Sequence, residues 1–260
     1  MTARETRIAD IRYFASQGLP FTGEHGPGNL RPLYAFSKSV HAIGARIARK
    51  LREFGFTIPG YDHVYIVFTP ALGAKVVRPA HVVLEPWQRH FSIGADCEYI
   101  EALDDTGRQA FVVDATLRVL RRIAGIDAGK RALLRRMGRE ITRDGDNLEI
   151  LHRAIASKTL LVRISYRIHA GGGGAGWVHV EDLASGHRGS LQFVDLDSCE
   201  DLYALVDRVT LAKGLLTLNP RKSASARLAV SRYRTPMRID IEAVLSNSRI
   251  TRYSARAPKQ

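Results

Sequence analysis

The side chains best suited to chemistry fall into two groups. The first is Asp62-His63, His90, Asp96 and Cys97. A thiol beside an imidazole is a nucleophile–base pair, and a carboxylate can orient the base. Such a site needs the runs carrying His63 and His90 to pair and their side chains to converge, which the spacing does not impose. The second group is His152, His179 and Glu181. Two imidazoles and a carboxylate are the ligand types of a zinc-like ion. His179 and Glu181 share a strand face with Trp177, and His152 lies on a neighbouring run. Scattered histidines on a solvated sheet face and inert buried thiols are the plainer readings. No His-x-x-x-His pair or paired-carboxylate motif stands out, so the expectation is no catalytic residue, no metal and no cofactor.

The run AGGGGAG around Gly171, Gly172, Gly173 and Gly174 resembles a phosphate loop only in composition. A Walker loop needs Lys followed by Ser or Thr and then a helix. Here Trp177-Val178 begins a strand instead. The glycines are therefore read as a hairpin connection. As a functional reading, Gly171–Gly174 with Trp177, His179 and Glu181 is a candidate protein-contact surface.

The elements that must position these groups are legible as patterns. In TLLVRISYRI, Leu160, Val162, Ile164, Tyr166 and Ile168 share one face, and Arg163, Ser165 and Arg167 the other. This period of two marks a half-buried strand. WVHVED and SLQFVDL repeat it, giving an antiparallel β-meander. Earlier, YDHVYIVFTP and WQRHFSIGAD read as strands. Helices are expected from Val40 to Phe54, with a solvated face of Lys38, Arg46, Arg49, Lys50 and Arg52, from Gln109 to Ala124, and after the Asp127 cap. The first residues suggest a helical turn through Ile8, Ile11 and Phe14. A further helix is expected after Ser198, with Val209 on its apolar stripe. RLAVSRY and TPMRIDIEAVL read as strands. The fold class is α+β: a mixed helix/strand half, then an antiparallel meander with a packed helix. The break at TRDGDN suggests lobes 1–143 and 144–260, or a single domain.

Charge is concentrated. The chain carries a net +13, yet residues 118–143 hold nine Lys+Arg against two Asp+Glu, and residues 221–260 hold ten against two. Concentrated positive charge attracts polyanions or an acidic protein surface. The candidates are Lys130, Arg131, Arg135, Arg136 and Arg139 on one helix, and Arg221, Lys222, Arg232 and Arg234 near the C-terminus. Tyr233, Tyr253 and Trp177 could add stacking. No nucleic-acid-binding motif accompanies them. No apolar run approaches the ~20 residues that span a bilayer, and no signal-peptide pattern opens the chain. With two cysteines and no disulfide framework, this reads as a cytoplasmic protein.

YDHVYIVFTPAL, WQRHFSIGAD and NPRKSASARLAVSRYRTPMRI together resemble bacterial immunity-type proteins encoded beside polymorphic toxins. The resemblance implies a non-enzymatic cytoplasmic protein that binds and blocks a cognate toxin. It carries no motif that assigns binding residues. The charge departs from the acidic character usual for inhibitors of basic nuclease toxins. A partner for this chain should therefore be acidic, or should meet residues 144–220. The alternative is a nucleic-acid-associated protein using 118–143 and 221–260.

Overall fold

The structure is a computed structural model that describes residues 4–19, 34–35, 38–80, 85–123, 125–246 and 251–252. His25, Ser37 and Tyr253 lie outside these residues. The chain is α+β and divides into two compact units, Met1–Leu148 and Glu149–Gln260.

The first unit holds β1 (Glu5–Arg7), β2 (Asp10–Ala15), β3 (Tyr34–Ala35), α1 (Lys38–Glu53), β4 (Thr57–Pro59) and β5 (His63–Thr69). There follow β6 (Val77–Pro79), β7 (Gln88–Gly94), α2 (Cys97–Ala102), α3 (Asp105–Arg122) and α4 (Ala128–Asp144). Its main sheet has the order β3-β2-β5-β7-β6. The three central strands are parallel, and the edge strands β3 and β6 run antiparallel to their neighbours. A separate ribbon pairs β1 with β4. The N-terminal residues are thus strands, not the expected helical turn. The alternation of buried Ile11 and Tyr13 with exposed Arg12 in β2 wins because β5 supplies a parallel partner over the whole run.

Helix α1 packs on β2 through Gly44, where a Cβ would meet the Ile11 carbonyl and lie 2.8 Å from the Tyr13 ring. Tyr13 reaches α3: its hydroxyl lies 2.7 Å from Thr116 Oγ1, whose own hydrogen goes to the Val112 carbonyl. The basic face of α1 is not wholly solvated as expected. Arg46 is 1% exposed and Lys50 is 7% exposed. Arg46 bonds Gln109 Oε1 and Asp146, and Lys50 pairs with Glu53 and Glu140. Their long stems fill space against the neighbouring helices while their heads meet acceptors there.

The second unit holds β8 (Ile150–Ala156), β9 (Leu160–Ile168), β10 (Gly174–Asp182), β11 (Arg188–Leu196), α5 (Asp201–Leu205) and β12 (Arg208–Ala212). It continues with β13 (Leu215–Asn219), α6 (Ala224–Val230), β14 (Met237–Asp240), α7 (Ile241–Ser246) and β15 (Thr251–Arg252). The antiparallel meander is present, in the order β15-β11-β10-β9-β8, with β15 parallel to β11. A small antiparallel sheet β12-β13-β14 accompanies it. Val162, Ile164, Tyr166, Val178, Phe193, Leu202 and Leu205 are fully buried.

Three local expectations change. RLAVSRY is helical as far as Val230, the end of α6, because Ser223 caps that helix and Ala226 and Val230, four apart, are its buried positions. TPMRIDIEAVL is a strand only as far as Asp240, whose carboxylate accepts from the Glu242 and Ala243 amides and turns the chain into α7. Helix α5 ends at Leu205, so Val209 lies on β12 instead of on a helical stripe.

Candidate functional site

The first chemical group does not assemble into a Cys–His pair. Its strands do pair, and His63 and His90 fall on one sheet face. However, Tyr65 is directly opposite His90, and His63 is opposite Gln88. His63 Nδ1 lies 2.6 Å from Asp62, and the His90 ring stacks edge-on at 5.0 Å from Tyr65. Cys97 follows the far end of β7 and directs its thiol at the Phe68 carbonyl, 3.5 Å away. Burial raises the pKa of that thiol and pushes His90 down to about 4. A protonated thiol far from a neutral imidazole is not an activated nucleophile.

The second group separates as well. His152 Nε2 lies 3.0 Å from the Val206 carbonyl, and its ring packs on Tyr203. Glu181 pairs with Arg188 at 2.7 Å. No cluster of three or more metal-ligating side chains occurs among the described residues. His179 instead joins residues that the sequence did not single out. Glu149 accepts from Arg167 at 2.6 Å, from Ser165 at 3.1 Å and from His179 Nε2 at 2.8 Å. With Nε2–H directed at the carboxylate, Nδ1 is left to accept from the Ser190 hydroxyl at 2.8 Å. Burial would raise the Glu149 pKa, but the bonds from His179 and Arg167 overcome it and hold it down at about 2. Trp177 lies beneath Arg167, 4.5 Å from its guanidinium carbon.

This carboxylate–imidazole–hydroxyl order resembles a hydrolase relay. Glu149 immediately precedes β8, and His179 and Ser190 are cross-strand partners on β10 and β11, within antiparallel ladders whose N–H groups serve backbone pairing instead of an oxyanion hole. It is a structural polar network whose acceptors are engaged, although Arg167 Nε and Trp177 Nε1 are buried with no hydrogen-bond partner among the described residues. Ser165, Arg167 and Ser190 could have been found in the sequence only once the register of β9, β10 and β11 was known.

The glycine loop is stitched to the sheet. His169 N–H donates to the Gly173 carbonyl and Gly172 N–H to the His169 carbonyl, both at 2.9 Å. Gly172 has φ +88°, and a Cβ at Gly173 would lie 2.7 Å from the Leu196 carbonyl. Positive φ and close backbone approach account for these two glycines.

The basic residues divide into committed and uncommitted ones. Lys130 pairs with Glu5 at 2.9 Å, and Arg221 with Asp207 at 3.3 Å. Arg136 pairs with Glu140 and lies over the Phe54 ring. Arg232 forks onto buried Asp201 at 2.9 and 3.0 Å, beside the Tyr233 hydroxyl. These four serve the fold. Arg131, Arg135, Arg139, Lys222 and Arg234 have no ion pair among the described residues, and Arg131, Arg135 and Arg139 lie exposed along α4.

Between α3 and α4 lies an open groove of about 520 Å³. Its apolar lining is Ala110, Val113, Leu117 and Gly138, and Arg121, Arg135, Arg139 and Arg143 border it. Asp127 caps α4 by accepting from the Lys130 amide at 2.7 Å, and Gln109 ties α3 to the end of α4 through the Ile141 carbonyl. The sequence located the arginines; the groove needs the α3–α4 packing. Compared with known protein families, curated proteins and solved structures, the chain matches none.

Proposed function

We propose that this protein acts by binding and not by chemistry, as an immunity- or inhibitor-type protein that holds an acidic surface of a cognate toxin. The observation that carries the reading is the α4 face: Arg131, Arg135 and Arg139 are exposed with no ion pair among the described residues, and Arg135 and Arg139 border an apolar groove. By contrast, His63, His90, His152, His179, Cys97, Cys199 and Glu149 are engaged in local packing or hydrogen bonds. Two free cysteines and the lack of a helix long and apolar enough to cross a membrane, among the described residues, are compatible with action in the cytoplasm.

The test is capture by the full chain of the protein encoded beside it, after nuclease treatment and at roughly 0.5 M salt, well beyond surface screening. A one-to-one complex that suppresses the partner's toxicity is expected. Retention of nucleic acid alone, lost at that salt, would replace this reading with the nucleic-acid one.

A further inference from the structure

We infer that the α3–α4 groove receives an acidic amphipathic helix of the partner protein, an inference that rests on the binding reading above. The groove is lined by α3 from Ala110 to Arg121 and by α4 from Arg135 to Arg143. At ~1.5 Å rise per residue these walls run roughly 12–16 Å, two to three helical turns. The groove is an open trough and not an enclosed cavity. It suits an element laid along it.

The chemistry of the walls selects the element. Both walls are helices, whose backbone groups are satisfied within themselves away from their ends. An extended peptide would bury its own N–H and C=O groups there without partners. A helix satisfies its backbone internally and needs only an apolar stripe. Val113 and Leu117, four apart on α3, face Gly138 on α4, where a Cβ would lie 2.9 Å from Leu117 Cδ1. The bare Gly138 lets Leu117 seat against α4, so the helices approach closely and form the floor of the groove, while exposed Ala110 and the arginines form its rim.

Charge sets the sign. Arg135, Arg139 and Arg143 recur every four residues, so their heads repeat at ~6 Å along α4. Arg143 is held by Asp144, and the groove's one acid, Asp114, is paired with Arg118 at 2.8 Å. Arg121, Arg135 and Arg139 have no ion pair among the described residues. A partner helix should therefore carry Asp or Glu at spacings of three or four beside its apolar stripe. Nucleic acid fits less well, because the lining has no aromatic ring on which a base could stack. The chain's own C-terminal segment 247–260 carries four cations and no acid, so it does not complement the rim.

The probe is a synthetic 18-residue helix with Leu at every third or fourth position and Glu flanking that stripe. It is titrated into the full isotope-labelled chain and followed by amide NMR. Shifts confined to the α3 and α4 lining are expected. They should weaken at least tenfold in the exposed-site variants Ala110→Trp, which fills the groove, and Arg135→Glu/Arg139→Glu. Equal binding of a composition-matched peptide without the stripe would overturn the inference, because charge alone would then suffice. So would no shifts at the groove, tighter binding of a single-stranded oligonucleotide at the same residues, or self-association abolished by Ala110→Trp. The same variants separate this inference from the reading beneath it. Capture of the toxin by wild type and Ala110→Trp alike sinks the groove and leaves the binding function standing. No capture by wild type sinks both.

Discussion

Two ionic groups, half-buried Glu149 and buried Arg46, carry stability that single substitutions can expose. Glu149 is the clearer case. Its folded pKa, about 2, lies below the ordinary carboxylate value. A depressed carboxylate contributes stability that is present above its unfolded pKa and is lost as pH falls through the folded one. The window is therefore about pH 5 down to 2. The full shift corresponds to roughly 3 kcal/mol, and partial solvent screening reduces it to about 1–2 kcal/mol. Glu149→Gln should melt lower than wild type at pH 7, and the gap should close as pH approaches 2.5. Melting curves at three pH values decide it; a gap that stays constant would mean the carboxylate's charge is not what Arg167 and His179 recognise. Arg46 is 1% exposed, whereas its partner Asp146 is half exposed. Arg46→Ala removes a packed stem and two hydrogen-bond partners but strands no buried charge, so its cost should be about 2–3 kcal/mol, below that of breaking a fully buried pair. Arg46→Met keeps the stem and should recover about half. Urea midpoints separate packing from charge.

At the scale of the element, Gly44 is a sharp test of how α1 is seated. A mid-helix glycine replaced by alanine ordinarily gains about 1 kcal/mol. Here the new Cβ would strike the Ile11 carbonyl and the Tyr13 ring. Backbone cannot yield as a flexible side chain can, so Gly44→Ala should instead destabilise by about 1–3 kcal/mol. Denaturant unfolding reads the sign directly, and a gain would mean that α1 stands further from β2. The same contact shows what the sequence could and could not reveal. Helices α3 and α4 were legible from apolar residues three and four apart and from the Asp127 cap. The β9–β11 meander was legible from its period of two. The strand β2 was not, because its apolar run is short and its partner β5 lies some fifty residues away. Arg46 and Lys50 looked like a solvated stripe, since a helix pattern cannot show that Gln109, Glu140 and Asp146 will stand opposite. The groove was invisible for the same reason: its arginines are sequence features, whereas its apolar lining exists only where Gly138 meets Leu117.

Over the whole molecule, the division after Leu148 bears on function because the groove lies wholly in the first unit and the Glu149–His179–Ser190 network wholly in the second. Each unit exceeds the size below which a core is hard to build, and each holds its own fully buried set. Val64, Ile66, Phe68, Val112 and Leu134 stand in the first, and Val162, Ile164, Phe193, Leu216 and Leu218 in the second. Fragments 1–148 and 147–260 should therefore each show dispersed amide spectra and a cooperative melt. Leu148 and Ile150 are 1% and 2% exposed, so the second fragment is begun at Asn147 to keep both residues. If fragment 1–148 folds, it should bind the acidic helix within about threefold of the full chain, because every lining residue is retained. Non-cooperative melting of either fragment would mean the two units complete a shared core. A folded first fragment that lost peptide binding would place part of the recognition surface beyond Leu148.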